Sequence, residues 1–325
     1  MKKNIFPATK SKKTILALGA ESAGNFSIFH NGCISHSEDF GDLLKDESFL
    51  KFKYSLDKFL KKEKLRPNII LTDLHPSYRT TALGQELSKK YKARHIQVQH
   101  HIAHIFSQLQ DTRHEIQDTK KSQTTKLKHQ NLFGVALDGT GYGLDGKIWG
   151  GEILKITNYK LQITNKIPTS NDKISEPRMQ IERIGHLENQ VMIGGELAIK
   201  EPARMLIAIL AKIPNSKFQI PNKFQIANSK SQKDFVYGFI RKHYSRNEFE
   251  LLYNQLDQNF NCVETSSAGR ILDAVSVLLG FAKNERKSKH EATFLLEKNS
   301  TEPYSDIKPK IEIVPPKKQE TRNKQ

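Results

Sequence analysis

Cysteine is almost missing from this chain of 325 residues: only Cys33 and Cys262 occur, far apart and outside any C-x-x-C spacing. That excludes a disulfide framework and a cysteine-built zinc site, and it predicts a reducing, cytoplasmic setting. Long apolar runs are missing too. No stretch reaches the roughly 18 apolar residues of a membrane helix, and the basic start "MKKNIFPATKSKK" lacks the apolar core and cleavage site of an export signal. Neither secretion nor a membrane partner is expected. Apolar residues make up 37% of the chain, below the globular norm of about 45–50%, which predicts segments outside any packed core. The length still suffices for two domains or one large bilobal one.

Acidic residues are in short supply, and the net charge is +17. Where that charge sits decides what it means. Five stretches, 1–13, 113–130, 155–176, 212–233 and 298–325, together carry +18, and the remainder holds 26 Lys and Arg against 27 Asp and Glu. The part expected to fold is close to neutral. A nucleic-acid face would concentrate its charge on a folded element with aromatics between, so no specific nucleic-acid partner is expected. The stretches share a polar composition as well. "KLQITNK" and "KFQIPNK" are near-identical cores within two of them, too short to be solenoid repeats and too polar to build a core.

With those set aside, the chain divides into a basic tail (1–13), a first α/β lobe (14–112), an insertion (113–130), a second lobe (131–297) with insertions near 155–176 and 212–233, and a polar tail (298–325). "TILALGA", "NFSIFHNG" and "CISHSEDF" predict three strands, the last two joined at Asn31-Gly32, a hairpin-turn pair. A helix over 43–64, the strand "NIILTDL", a helix over 80–91, the strand "HIQVQ" and a helix over 100–110 come next. The pattern then restarts with a hairpin, "LFGVALDG" and "KIWGGEILKI", and helices near 197–211, 234–243, 246–257 and 268–281. A hairpin followed by alternating elements, twice over, predicts two α/β lobes with a cleft between them.

Two motifs carry chemistry. Gly141, Gly143 and Gly146 fit G-x-G-x-x-G, but a dinucleotide site needs a helix opening on its glycines, and the β-branched and aromatic "KIWGGEIL" predicts a strand instead. The glycines are therefore expected in a turn between strands. Asp138 ends the first of them beside Gly139, Thr140 and Gly141. Adjacent amides and a hydroxyl there suit phosphate oxygens, and the carboxylate suits their metal. In "VQHHIAH", His100 and His104 are four apart and leave one face of a helix, as a divalent-metal pair does, whereas His101 points about 100° away. Asp138 is the natural third ligand, and two His with one Asp suit iron and zinc equally.

The runs "DLHPSYRTTALGQEL", "VQHHIAH", "ALDGTGYGLDGKIWGGE", "GGELAIKEPARM" and "SSAGRILDAVSVLLG" resemble, in order and character, the first part of the carbamoyl-transfer domain of the HypF hydrogenase-maturation carbamoyltransferases. That domain is related to the tRNA threonylcarbamoyl transferases and has the bilobal actin and sugar-kinase (ASKHA) fold. The resemblance implies transfer of a carbamoyl group from carbamoyl adenylate to the C-terminal Cys thiol of a HypE-like partner, on the way to nickel–iron hydrogenase. It implies a metal on His100, His104 and Asp138. Nucleotide contacts are implied for Gly139, Thr140, Gly141, Gly194, Gly195, Glu196 and Ser267, and catalytic roles for Arg270 and Asp273. His75-Pro76 at a strand end is a further candidate for the cleft wall.

Several positions depart from the family pattern. Glu196 stands where the family has Asp, and "SKHEATFLLE" replaces a Tyr-Glu-Gly-like run. The family's adenylate-forming and zinc-finger domains have no counterpart, so separately encoded domains are expected to supply carbamoyl adenylate. Nor is there a match after Glu297 for its closing glycine-rich nucleotide motif and late metal-binding Asp, which implies an incomplete second lobe. The alternative expectation is a truncated, catalytically inactive fragment that retains at most partner binding.

Overall fold

The computed structural model describes residues 2–5, 13–117, 131–157, 179–213, 231–288 and 290–301, with backbone alone for 2–5 and 109–117. The first sheet is led by three short strands, β2 (Ile15–Leu18), β3 (Phe26–His30) and β4 (Cys33–His36). Asn31 and Gly32 both take positive φ, 48° and 77°, as a tight two-residue hairpin turn requires. The strand β1 (Lys2–Ile5) lies against β4 in antiparallel register, so part of the stretch read as a basic tail is sheet. With two lysines and an asparagine in its four residues it carries no alternation to read as a strand.

Helix α1 (Asp46–Lys62) buries Phe52, Leu56 and Leu60, spaced four apart so that they share one face. Then come β5 (Ile69–Asp73), α2 (Arg79–Tyr91) and β6 (Arg94–Val98). The strand order is β1-β4-β3-β2-β5-β6, antiparallel on the hairpin side and parallel from β2 through β5 to β6. Leu16, Leu18, Phe26 and Ile28 pack on Phe52, Leu56, Leu60 and Leu83 to form one closed core.

Helix α3 (His100–Gln117) starts immediately beyond β6 and runs on into the stretch read as an insertion. Its Ile105 packs on Ala136, Leu154 and Ile156 of the second sheet. That sheet opens with β7 (Leu132–Tyr142), β8 (Ile148–Thr157) and β9 (Gln180–His186), all antiparallel. The start of β8 also meets β11 (Cys262–Thr265) in parallel, and β11 pairs with β10 (Gln190–Ile193). β8 continues three residues past the boundary drawn at 155, because Leu154 and Ile156 are buried on the α3 side.

Helices α4 (Leu197–Lys200), α5 (Ala203–Lys212), α6 (Gln232–Ile240), α7 (Arg246–Asp257), α8 (Ala268–Leu278) and α9 (Glu291–Asn299) complete the second unit. α5 is apolar nearly all round, and Met205, Leu206, Ile207, Ala208 and Leu210 are all buried, which makes it the central helix of the second core. α7 opens on a capping box, Ser245 with Glu248. The strands β9, β10 and β11 and the helix α9 were not foreseen. β9 alternates polar and apolar residues too weakly, and β10 and β11 are only four residues each. Most of the polar stretches from 118 onward, with their echoing cores, lie outside the described residues. Among the described residues no helix is long and apolar enough to cross a membrane.

Candidate metal centre and its cleft

The first element of the site is a bulge in β7. Leu137 pairs with Gly151 and Gly141 pairs with Trp149, so Asp138, Gly139 and Thr140 stand opposite Gly150 alone. Extra residues in one strand bend it and aim side chains out of the ladder. Here the bulge turns Asp138 toward the start of α3. Gly141 and Gly150 serve this close approach. A Cβ on Gly141 would lie 2.6 Å from His101 Cε1 and 3.0 Å from His100 Cβ, and one on Gly150 would lie 2.8 Å from the Asp138 carbonyl oxygen. The expected hairpin is observed, with Gly146 at φ +76° and Asp145 accepting from Lys147 N and Trp149 Nε1.

Three atoms converge at the bulge. His100 Nε2 is 3.0 Å and His104 Nε2 3.6 Å from Asp138 Oδ2, and the two imidazole nitrogens are 3.1 Å apart. His100, His104 and Asp138 each offer one ligand atom, all within 4.8 Å of one another. Asp138 Oδ2 is buried and has no hydrogen bond, since no neighbouring nitrogen is aligned to donate to it. A carboxylate oxygen left this way in a ring of imidazoles fits a cation better than it fits the protein alone. Two imidazoles and a carboxylate are a donor set for zinc or ferrous iron.

A second layer supports the fit. Asp73, at the end of β5, accepts from His100 Nδ1 at 2.8 Å and from His75 N at 2.9 Å. That bond turns His100 Nε2 toward Asp138, the usual device that orients a metal-bound histidine. Burial opposes charge on His100, but the Asp138 and Asp73 carboxylates outweigh it and push its pKa up to about 9. Burial likewise opposes ionisation of Asp138, yet the His100 contact and the Gly139 amide hold it well below the usual carboxylate range. A cation bound at His100 Nε2 would have to displace its proton.

His101 is nearer than its 100° offset predicts. It is buried, with Nε2 3.7 Å from Asp138 Oδ2, because the bulge wraps over the first turn of α3. Gln99 Nε2 donates to His101 Nδ1 and to the Tyr142 carbonyl. Burial first, then the charge of His100, lower its pKa to about 4, so it is neutral. His75 stacks on Tyr78, with ring centroids 4.1 Å apart, and meets Tyr142 edge-on at 5.3 Å, which places it beside the bulged strand. A recess of about 320 Å³ opens next to the histidines, lined by Gly19, Asn25, Ser27, Thr72, Asp73 and Ala103 among others.

The remaining predicted residues divide in two. Ser267 caps α8, accepting from Arg270 N and donating to the carbonyls of Asp138 and Gly139. Arg270, 6% exposed, lies against Gly139, whose Cβ would be 3.4 Å from its Nη2. Asp273 sits behind it, 2.9 Å from Arg270 and 3.2 Å from Arg286, with Thr293 Oγ1 donating to it. Its contacts are with these arginines rather than with the histidines. Thr140 is half-buried on the bulge. Gly194 and Gly195 form a turn at φ +79° and +58° ahead of α4, and Glu196 is exposed. Asp73 and Gln99 were not among the predicted site residues. "TDLHP" and "VQHH" carried the signal, an acid at a strand end and an amide before the histidines, but only the fold places them behind the imidazoles.

Two meander-led sheets, joined by a helix whose first turn faces a bulge in the opposite sheet, define the bilobal ASKHA class. The full-length HypF structure in the phosphate- and nucleotide-bound form shares this fold, with a TM-score of 0.68 at 24% identity over 93% of this chain and 38% of that one. The T. kodakarensis HypF structure aligns with a TM-score of 0.67 at 28% identity over 91% of this chain and 33% of that one. Residues 10–111 match the HypF Kae1-like domain, and residues 134–170 and 174–322 match the second subdomain of the Kae1-like carbamoyltransferase domain. A probable carbamoyltransferase HypF of Methanocaldococcus jannaschii is 33% identical over 273 residues, 83% of this chain and 29% of the relative. The Synechocystis carbamoyltransferase HypF is 29% identical over 90% of this chain and 34% of its own length. The chain belongs to the HypF carbamoyltransferase family, and it spans about a third of the length of these relatives.

Proposed function

We propose that this chain carries the carbamoyl-transfer step: a carbamoyl group passes from carbamoyl adenylate to the C-terminal Cys thiol of a HypE-like partner. Family membership supports the reading, and one observation carries it. His100 and His104 from the first unit and Asp138 from the second meet at one point beside an open recess. In the transfer a C–S bond forms at the carbamoyl carbon and the C–O bond to the phosphate breaks. AMP leaves with the electron pair, and the thiol proton goes to solvent. His100, His104 and Asp138 would hold a divalent ion, iron or zinc, which when bound would supply positive charge for the departing phosphate.

The chain's own groups do the positioning. Asp73 orients His100, Gln99 holds neutral His101 against the bulge, and Ser267 ties the bulge to the start of α8. The Arg270 guanidinium behind Gly139 offers charge for an anionic oxygen. An adenylate-forming domain would supply the carbamoyl donor in a reducing cytoplasm. The test is to mix purified chain, such a domain and a HypE-like protein with carbamoyl phosphate and ATP, and to read the partner's mass. A gain of one carbamoyl group that disappears in the His100→Ala, His104→Ala chain is expected; no gain with a metal-loaded chain would sink the reading.

One observation favours a second reading, a catalytically silent chain that keeps partner binding. The outer edge of β7 has no strand partner among the described residues, and Phe133, Val135 and Leu137 are 59%, 63% and 69% exposed. In the same assay that reading predicts capture of the HypE-like protein without a change in its mass.

A further inference from the structure

Glu152 is fully buried on β8, 0% exposed, and has no part in the transfer step. Burying a carboxylate is unfavourable unless donors surround it. Four do. Gly150 N and Gly151 N donate to Oε1 at 3.1 and 3.3 Å, Ser266 Oγ donates to the same oxygen, and Arg183 Nε donates to Oε2. Arg183 is itself held in place. Its guanidinium lies 4.2 Å from the centroid of the Trp149 ring, Nη1 is 3.4 Å from Asp145 Oδ2, and Nη2 is 3.3 Å from Ser266 Oγ.

The position of this cluster is informative. Glu152 pairs with Ala136, two residues before Asp138, and Gly150 stands opposite the bulge. A bulge takes groups of both strands out of the ladder, and each must find another partner. On the β8 side the amides of Gly150 and Gly151 turn to Glu152. On the β7 side the carbonyls of Asp138 and Gly139 accept from Ser267, the neighbour of Ser266. Both halves of the disrupted ladder are thus closed by one connected group running Arg183, Glu152, Ser266, Ser267.

We propose that Glu152 and Arg183 are positioning residues: a buried brace that, through Ser266 and Ser267, holds the β7 bulge in the shape that presents Asp138 to a divalent cation. The inference rests on the reading of His100, His104 and Asp138 as a cation site. Glu152→Gln keeps the volume but removes the charge that anchors Arg183. Ser267→Ala removes the bond to the bulge, and Ser267→Thr restores a hydroxyl.

The experiment titrates Zn²⁺ and Co²⁺ alone into the full chain, using a competing chelator for affinity and the Co²⁺ absorption bands for ligand geometry, with circular dichroism melting in parallel. Affinity losses of about 10–100-fold for Glu152→Gln and Ser267→Ala are expected, the usual scale for groups that orient a metal ligand, with altered Co²⁺ bands and recovery in Ser267→Thr. Glu264→Gln, which breaks the surface pair between Lys147 of the hairpin and Glu264 of β11, should leave affinity and bands unchanged. If the wild type binds and folded Glu152→Gln and Ser267→Ala bind equally well with unchanged bands, the brace is overturned and the cation site stands. If the wild type binds neither ion, the site reading falls and the brace with it. Should Glu152→Gln fail to fold, Ser266→Ala and Arg183→Lys break the same group at its other members, and unchanged affinity in both would overturn the proposal.

Discussion

β2 and β7 each begin the meander of a sheet, and they are treated differently. β2 is paired on both edges, with antiparallel β3 on one side and parallel β5 on the other, and Leu16 and Leu18 lie in a closed core. β7 is paired with β8, and its second edge has no strand among the described residues. One face of β7, Gly134 and Ala136, is covered by α3, and the other shows Phe133, Val135 and Leu137 to solvent. β2 therefore finds its cover within its own sheet and core, while β7 leans on a helix from the first unit. That helix also carries the histidines. The candidate metal centre sits at the seam because α3 begins in one sheet's topology and packs on the other.

The comparison is broken most completely by removing the seam's contents. With His100 and His104 both changed to Ala, the purified chain should retain no stoichiometric zinc or iron by elemental analysis, since one carboxylate remains. Next comes the contrast between the two opening strands. Leu16→Ala should destabilise by about 2–5 kcal/mol in a denaturant titration, the usual range for a buried leucine. Gly141→Ala tests the seam from the other side. Its new Cβ has no room beside His100 and His101, so a loss of about 1–3 kcal/mol together with weaker metal binding is expected; an unperturbed variant would mean that α3 and the bulge are not in contact.

A smaller effect comes from acid. Burial alone would raise the Glu152 carboxyl, but the Arg183 and Ser266 hydrogen bonds outweigh it and hold it below its ordinary value. A depressed folded value means that its stabilisation is present above the ordinary carboxylate pKa and is lost as pH falls through the lowered one. The Glu152→Gln chain should accordingly show a flatter acid-unfolding limb than the wild type. The smallest change expected is Leu137→Ala, within about 0.5 kcal/mol, as for surface positions away from packing. A loss as large as that of Leu16→Ala would show that the outer face of β7 is covered in solution.

Much of the fold was legible in the sequence because its signals are local. Helical spacing placed α1, α2, α5, α7 and α8, the Asn31-Gly32 pair placed the first hairpin, and "KIWGGEIL" after the glycines argued strand rather than a nucleotide-binding helix start. Two short strands of the second sheet, β10 and β11, were not legible. In Cys262–Thr265 and Gln190–Ile193 no period has room to establish itself, and they exist because each supplies the other's hydrogen bonds. The candidate ligands His100, His104 and Asp138 were legible from spacing and chemistry. Asp73, Gln99 and Glu152 were not, since their defining contacts are distant in sequence: His100 is 27 residues from Asp73, Tyr142 is 43 from Gln99, and Arg183 and Ser266 are 31 and 114 from Glu152.

What local chemistry determined was which segments are strand, helix and turn, and which residue types could ligate a cation. Tertiary structure decided that these residues meet. Nothing in "VQHHIAH" says that α3 will leave its own sheet to pack on Ala136, Leu154 and Ile156. Nor does anything in "ALDGTGYG" say that three residues will stand opposite one. Both result from burial and hydrogen-bond closure summed over distant segments. The apolar face of α3 finds its cover on the second sheet, and the polar groups freed at the bulge find theirs on Glu152 and Ser267.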